Sequence, residues 1–142
     1  MADSTAQVIW RGDLESGRGS LERVGSGAFG GLPVTWKART GEEGGLTTPE
    51  ELLAAAHAAC FSMALSLRLA KAGTPAEELS VSATVTFVPG TGITASALTV
   101  DGRVPGLDPQ AFAEHAAQAK EGCPVSRALA GNVELSVTAR LA

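Results

Sequence analysis

The chain has 142 residues, 44% hydrophobic and 18% charged, and a formal charge of −4 from 11 Lys and Arg against 15 Asp and Glu. That length fits one domain, residues 1–142, able to bury roughly two-thirds of its unfolded surface, and the composition excludes a disordered chain. An acidic sequence with no run of three basic residues lacks the positive stripe that nucleic acid requires and offers no attraction to an anionic membrane.

The opening MADSTAQVIWRGD has no basic segment followed by an apolar stretch, so no signal peptide is expected and the reading is cytoplasmic. Gln7–Trp10, Gly19–Val24 and Leu32–Ala38 read as strands, and the polar, Gly-rich Thr40–Thr47 as a mobile loop. Thr48-Pro49-Glu50-Glu51 then starts a helix: Thr48 at the N-cap, Pro49 at the first position and Glu51 as the capping-box acid. The helix is predicted to run to Ala72, with Gly73 as its stop.

Between Leu52 and Leu67 this helix is apolar on nearly every side. The run is shorter than the ~20 residues of a membrane span and contains His57 and Ser62, so it reads as a buried helix. A chain this short can hardly surround it alone, which points to a homodimer whose partner covers one flank.

Leu79–Val88 alternates cleanly, Pro89–Gly92 is a turn, and Ile93–Val104 returns as the hairpin partner. The apolar phase of that second strand shifts between Ala97 and Leu98, where a bulge is expected. Asp108-Pro109 opens a second helix ending near Gly122, and Cys123-Pro124 a short one through Ala130. Val133–Leu141 closes the chain as an alternating strand. Segregated strands and helices indicate an α+β fold with antiparallel sheet.

Two cysteines, Cys60 in the apolar helix and Cys123 in a Gly-Cys-Pro turn, confine any thiol chemistry to one pair. In a reducing compartment such a pair is transient and catalytic or redox-sensing rather than structural. A thiol is a nucleophile only as thiolate. At the N-cap of the short helix, Cys123 would have its anion favoured by free amides and the helix dipole. Cys60, buried among alanines, would have its pKa raised unless a cation is close, and by itself reads more readily as a small hydrophobe in a crowded helix. The His and Cys spacing fits no zinc finger, ribbon or HExxH pattern, and there is no phosphate loop or dinucleotide fingerprint.

The stretch PEELLAAAHAACFSMAL from Pro49 to Leu65, followed by Gly122-Cys123-Pro124-Val125-Ser126, closely resembles the OsmC/Ohr family of osmotically inducible and organic hydroperoxide resistance proteins. Its wording falls on the OsmC side. The resemblance runs from Trp10-Arg11-Gly12-Asp13 to the last strand. It implies an OsmC-like fold with a long central helix and a shorter helical segment, an intertwined homodimer, and a cysteine-based hydroperoxide reductase.

It further implies Cys60 as the peroxidatic thiol, oxidised to sulfenic acid by an organic hydroperoxide, and Cys123 as the resolving thiol that closes a disulfide. No bound cofactor or metal is implied, only an external thiol reductant; in Ohr-type relatives the donor is a lipoylated protein. Glu50 falls on the family's glutamate position. It lies ten residues before Cys60 and about 80° away around an ideal helix, so a shared arginine bridging the two is expected rather than direct contact. By its position alone, Glu50 is equally a first-turn acid favoured by the dipole.

For the arginine, Arg39 matches the OsmC-type position with one inserted residue, and Arg18 sits where Ohr-type chains place theirs; Arg39 is favoured. Guanidinium suits the role because it stays charged and can bridge carboxylate and thiolate. His57 is close enough to touch Cys60 but is expected to be a satisfied buried histidine, and His115 a surface one. Phe61 and Met63 are core by default and secondary candidates for contact with the hydroperoxide's organic part. The competing reading is a non-catalytic oxidation-sensing or stress-binding protein with a redox-active cysteine pair.

Overall fold

The computed structural model describes residues 1–142, which fall into two compact units, Met1–Pro49 and Glu50–Ala142. In the first, β1 (Ala6–Arg11), β2 (Arg18–Val24) and β3 (Leu32–Val34) form an antiparallel meander in the order β1-β2-β3. Gly19 on β2 faces Trp10 and Val34 in the ladder. A Cβ there would lie 2.7 Å from the Trp10 ring and 2.8 Å from Val34, so only glycine lets the indole lie across the strand.

The third strand ends at Val34, short of the expected Ala38. Thr35 stays extended and its hydroxyl oxygen accepts the Ala38 amide at 3.0 Å, which starts the four-residue helix α1 (Trp36–Arg39). An N-cap therefore overrides the β preference of this apolar run. The start of the Gly-rich loop is tied back to that helix: the amides of Glu42 and Glu43 donate to the Lys37 carbonyl at 2.8 and 3.1 Å, and the Thr35 hydroxyl donates to Glu43 at 2.8 Å.

The second unit is organised around α2 (Pro49–Lys71), which ends where Gly73 takes φ +80° and the Thr74 amide closes on the Leu69 carbonyl at 2.9 Å. By length and composition alone this 23-residue helix, with a mean hydropathy of 1.5 in its most apolar window, could cross a membrane. Only one face of it is packed, and 22% of that window is buried. Glu50, His57, Phe61, Leu65 and Leu69 form one buried stripe, with the i, i+4 repeat of a single helix face. The opposite flank is not core: Met63 is 72% and Leu67 56% exposed.

Phe61, Leu65 and Leu69 of this stripe pack with Leu98, Val100, Val104, Phe112, Ala116, Ala119 and Cys123 in one apolar cluster. These residues come from β5 (Gly92–Arg103), α3 (Pro109–Gly122) and the segments that follow each. Strand β4 (Glu78–Val88) pairs antiparallel with β5 through the predicted turn. The register shift lies at Thr86/Phe87, where Ala95 and Ile93 are successive partners and Thr94 is passed over. The bulge is thus nearer the turn than Ala97, and Ser96, Leu98, Val100 and Gly102 share the buried face. At Gly102 a Cβ would come within 2.4 Å of the Phe112 ring; the glycine is what seats that ring.

After β5, α3 is capped by Asp108, whose carboxylate accepts the Ala111 amide at 2.9 Å. A second short helix, α4 (Pro124–Leu129), leads into β6 (Glu134–Leu141). The sheet order is β4-β5-β6, and β6 runs parallel to β5. Three of the four strand pairings are antiparallel as expected, and the fourth is parallel. The reason is the α3–α4 crossover, which carries the chain back to the end where β5 began.

Candidate active site

The geometry of α2 and the turn before α4 brings the two cysteines together. Both are free thiols, Cys123 with no exposed surface and Cys60 half-buried beside the core cluster. Each thiol acts on the pKa of the other and both pack against the same apolar cluster, so two positions 63 apart in the sequence come close together.

Their electrostatics differ. Burial pushes Cys60 above the ordinary thiol range; the Val125 amide opposes this, and the neighbouring Cys123 adds to the rise. Burial also acts on Cys123, but the Ser126 amide, Cys60, the Ser126 hydroxyl and the Val125 amide together outweigh it and hold its pKa below the ordinary value. The α4 amides face the Cys123 sulfur without making a close capping bond. Within this unit, then, Cys123 is the more acidic thiol, as the helix-start argument predicts.

Next to this pair lies a closed polar constellation. His57 is fully buried; its Nδ1 is 2.6 Å from Ser96 Oγ and its Nε2 2.7 Å from Ser126 Oγ. Both serines are themselves buried. Two hydroxyls occupy both ring nitrogens, which leaves none for Cys60 despite the three-residue spacing on the helix. The satisfied buried histidine is what the sequence led us to expect. Desolvation lowers its pKa, so the ring is neutral at rest.

Ser96 was not legible as part of this group. The signal lay in the phase of β5: a serine in the buried register needs a partner, but the bulge at Thr94 conceals that register in the sequence. Ser126 stands in the Gly-Cys-Pro-Val-Ser turn, three residues after Cys123, and its partner 69 positions earlier could not be read from it.

The remaining candidates fall in different places. Glu50 is 6% exposed, an almost buried carboxylate in the first turn of α2. Ten residues at the helical rise put it about 15 Å along the axis from Cys60, too far for contact within one helix. Arg39, half-buried, ends α1, and Arg18 is exposed at the first position of β2, opposite Arg11. Phe61 is fully buried in the core cluster, whereas Met63 is not core at all. Met63 is on the open flank of α2 and lines a groove of about 650 Å³ with Ser66, Leu67, Ala70 and Leu79. His115 is not a surface residue either: it is half-buried, with Nδ1 shut off from solvent and unpaired. No group of three or more His, Cys, Asp or Glu side chains is placed to hold a metal.

Residues 41–138 match the family described as OsmC-like protein. Peroxiredoxin OsmC of Escherichia coli (strain K12) is 41% identical over 133 residues, spanning 91% of this chain and 91% of that protein. Among solved structures, the organic hydroperoxide resistance protein OsmC of Legionella pneumophila superposes with a TM-score of 0.68 at 26% identity, covering 96% of each chain. The organic hydroperoxide resistance protein OhrB of Bacillus subtilis gives 0.67 at 26% identity, covering 96% of this chain and 98% of that one.

Proposed function

Because the chain belongs to the OsmC family, we propose that it is a thiol-dependent peroxidase that reduces organic hydroperoxides to alcohols. The observation that carries the reading is the proximity of two free thiols, one buried and one half-buried, packed against the apolar core beside the His57–Ser96–Ser126 group. The Cys60 thiolate attacks the terminal peroxide oxygen; the O–O bond breaks, the alcohol leaves with a proton, and Cys60 becomes a sulfenic acid. Cys123 then attacks that sulfur, water leaves, and a Cys60–Cys123 disulfide remains. An external dithiol or lipoylated protein returns the pair to thiols, with no prosthetic group involved. A pair that must be reduced on every cycle suits the cytoplasm.

The raised pKa of Cys60 means that this chemistry needs a cation. We assign that role to Arg39, with Glu50 as its carboxylate partner. An Arg beside a desolvated thiol lowers its pKa by units. The open apolar flank of α2 supports an intertwined homodimer that brings these groups to Cys60 and lines the alkyl site with Met63. Arg18 is the second choice for the cation. The family match crosses the boundary between the two compact units, which supports 1–142 as one functional domain.

The test is the intact mass and thiol count of the reduced protein before and after one equivalent of cumene hydroperoxide. Rapid loss of two thiols and two hydrogens is expected. Unchanged thiols would favour the non-catalytic stress-binding reading and end the peroxidase one. Slow oxidation, with alcohol released only at that slow rate, would favour a redox sensor.

A further inference from the structure

The buried histidine is surplus to what the core needs. Ser62, on the same helix, is satisfied locally by donating to the Ala58 carbonyl at 2.7 Å. His57 instead draws one hydroxyl from β5 and one from α4, so three elements each bury a polar group to complete the set. An apolar side chain at position 57 would fill the same space without these obligations. The line does not end at Ser126, because Cys123 is the N-cap of α4 and Ser126 its third residue, and the Ser126 hydroxyl is among the groups that lower the Cys123 pKa.

We propose that Ser126 and His57 form a proton relay for Cys123 during disulfide closure, with Ser96 holding the ring in place. The proposal rests on the peroxidase reading and concerns its second step. In the resting state the Cys123 S–H donates to Ser126 Oγ, the Ser126 O–H donates to Nε2, and the Nδ1–H donates to Ser96 Oγ. As Cys123 attacks, its proton passes to Ser126 and the Ser126 proton to Nε2. The sulfur becomes thiolate and the ring imidazolium, donating to both serine oxygens. The new S–S bond forms, the Cys60 S–O bond breaks, and the departing hydroxide takes up a proton to leave as water. His57 gives up its extra proton and returns to neutral. Cys123 thiol plus Cys60 sulfenic acid thus yields disulfide plus one water, with the hydroperoxide as the only oxidant.

The electrostatics agree with this division of labour. The depressed pKa of Cys123 eases proton release, and the desolvated His57 ring, neutral at rest, holds the proton only while the S–S bond forms. Ser126 touches the reacting sulfur, whereas His57 acts through Ser126 and Ser96 positions the ring.

The experiment separates the two chemical steps. Reduced full-length protein is mixed with one equivalent of cumene hydroperoxide and quenched at intervals with dimedone. Intact mass then reports sulfenic acid and disulfide independently. In Ser126→Ala and His57→Asn, sulfenic acid is expected to form at the wild-type rate and accumulate, while closure slows about 100-fold, the lower end of what a positioned proton acceptor contributes. Ser126→Thr keeps the hydroxyl and should close near the wild-type rate. Should either of the first two variants fail to fold, Ser96→Ala carries the test, since it leaves the His57–Ser126 bond intact and should slow closure by a smaller factor with formation untouched. Wild-type closure in these variants would overturn the relay, as would equal slowing of both steps, which marks a purely structural role. Absence of any sulfenic acid or disulfide in the wild type would instead sink the peroxidase reading, and the relay with it.

Discussion

The two flanks of α2 are built from the same kinds of residue and have opposite fates. One carries Glu50, His57, Phe61, Leu65 and Leu69, all buried; the other carries Met63 and Leu67, both mostly exposed. Cys60 and Ala64 lie between them, partly covered. Apolar composition says that a helix can be buried, but contact with β5 and α3 determines which side is. The lesson for the proposed chemistry is that the Cys60 sulfur, assigned the peroxidatic role above, belongs to a partly covered residue at the border, next to the core.

The largest effect should come from the border itself. Cys60→Ser is expected to abolish hydroperoxide reduction, whereas Cys123→Ser should retain a single fast turnover and lose recycling; single-turnover assays of alcohol release distinguish them. Normal reaction in Cys60→Ser with a dead Cys123→Ser would exchange the roles, as the acidity of Cys123 in this unit allows.

The flanks themselves are compared by Leu65→Ala and Leu67→Ala. The buried leucine should lose about 2–5 kcal/mol in denaturant unfolding. Truncation of the exposed one should change the stability of a single chain by no more than about 0.5 kcal/mol, while weakening self-association in sedimentation. Equal losses of chain stability would erase the distinction between flanks. On the facing strand, Gly102→Ala drives a methyl into the Phe112 ring and should cost about 1–3 kcal/mol.

His57 gives the buried flank a pH dependence. Desolvation lowers its folded pKa below the ordinary 6.5, so the unfolded chain binds the proton first as pH falls. Stability should therefore be complete above about pH 6.5 and decline as acid is added through the lowered folded value. Parallel unfolding curves of wild type and His57→Asn check this; a shared slope would assign it to other groups. The smallest effect is expected on the outside of the sheet. Arg140 donates to both oxygens of Asp101 at 2.9 and 3.2 Å, yet both side chains are largely exposed. Breaking this pair by Asp101→Asn should cost less than about 1 kcal/mol, and less still in high salt.

Local signals were reliable where the physics was local. Pro49 and Gly73 bound the long helix, Asp108 and Pro109 start α3, and the alternation of β4 and β6 marks their pleats. They failed where two local signals compete, and where a partner lies far along the chain. The Leu32–Ala38 run reads as a strand until the Thr35 cap is seen, and the parallel pairing of β6 depends on a crossover that no strand pattern records. The site divides the same way. The two cysteine motifs are legible from wording and order, but Ser96 required the true bulge position and Met63 required the packing of the opposite face.

The sequence by itself determined the thiol pair, the family wording around it and the boundaries of α2, α3 and α4. These follow from residue chemistry and from interactions within a few positions of one another. Only the tertiary structure decided which face of α2 is buried, which cysteine the surrounding amides make more acidic, and that His57 is held between two distant serines. Those outcomes depend on desolvation and on hydrogen bonds between segments 39 and 69 residues apart, and such forces act only once the chain has folded.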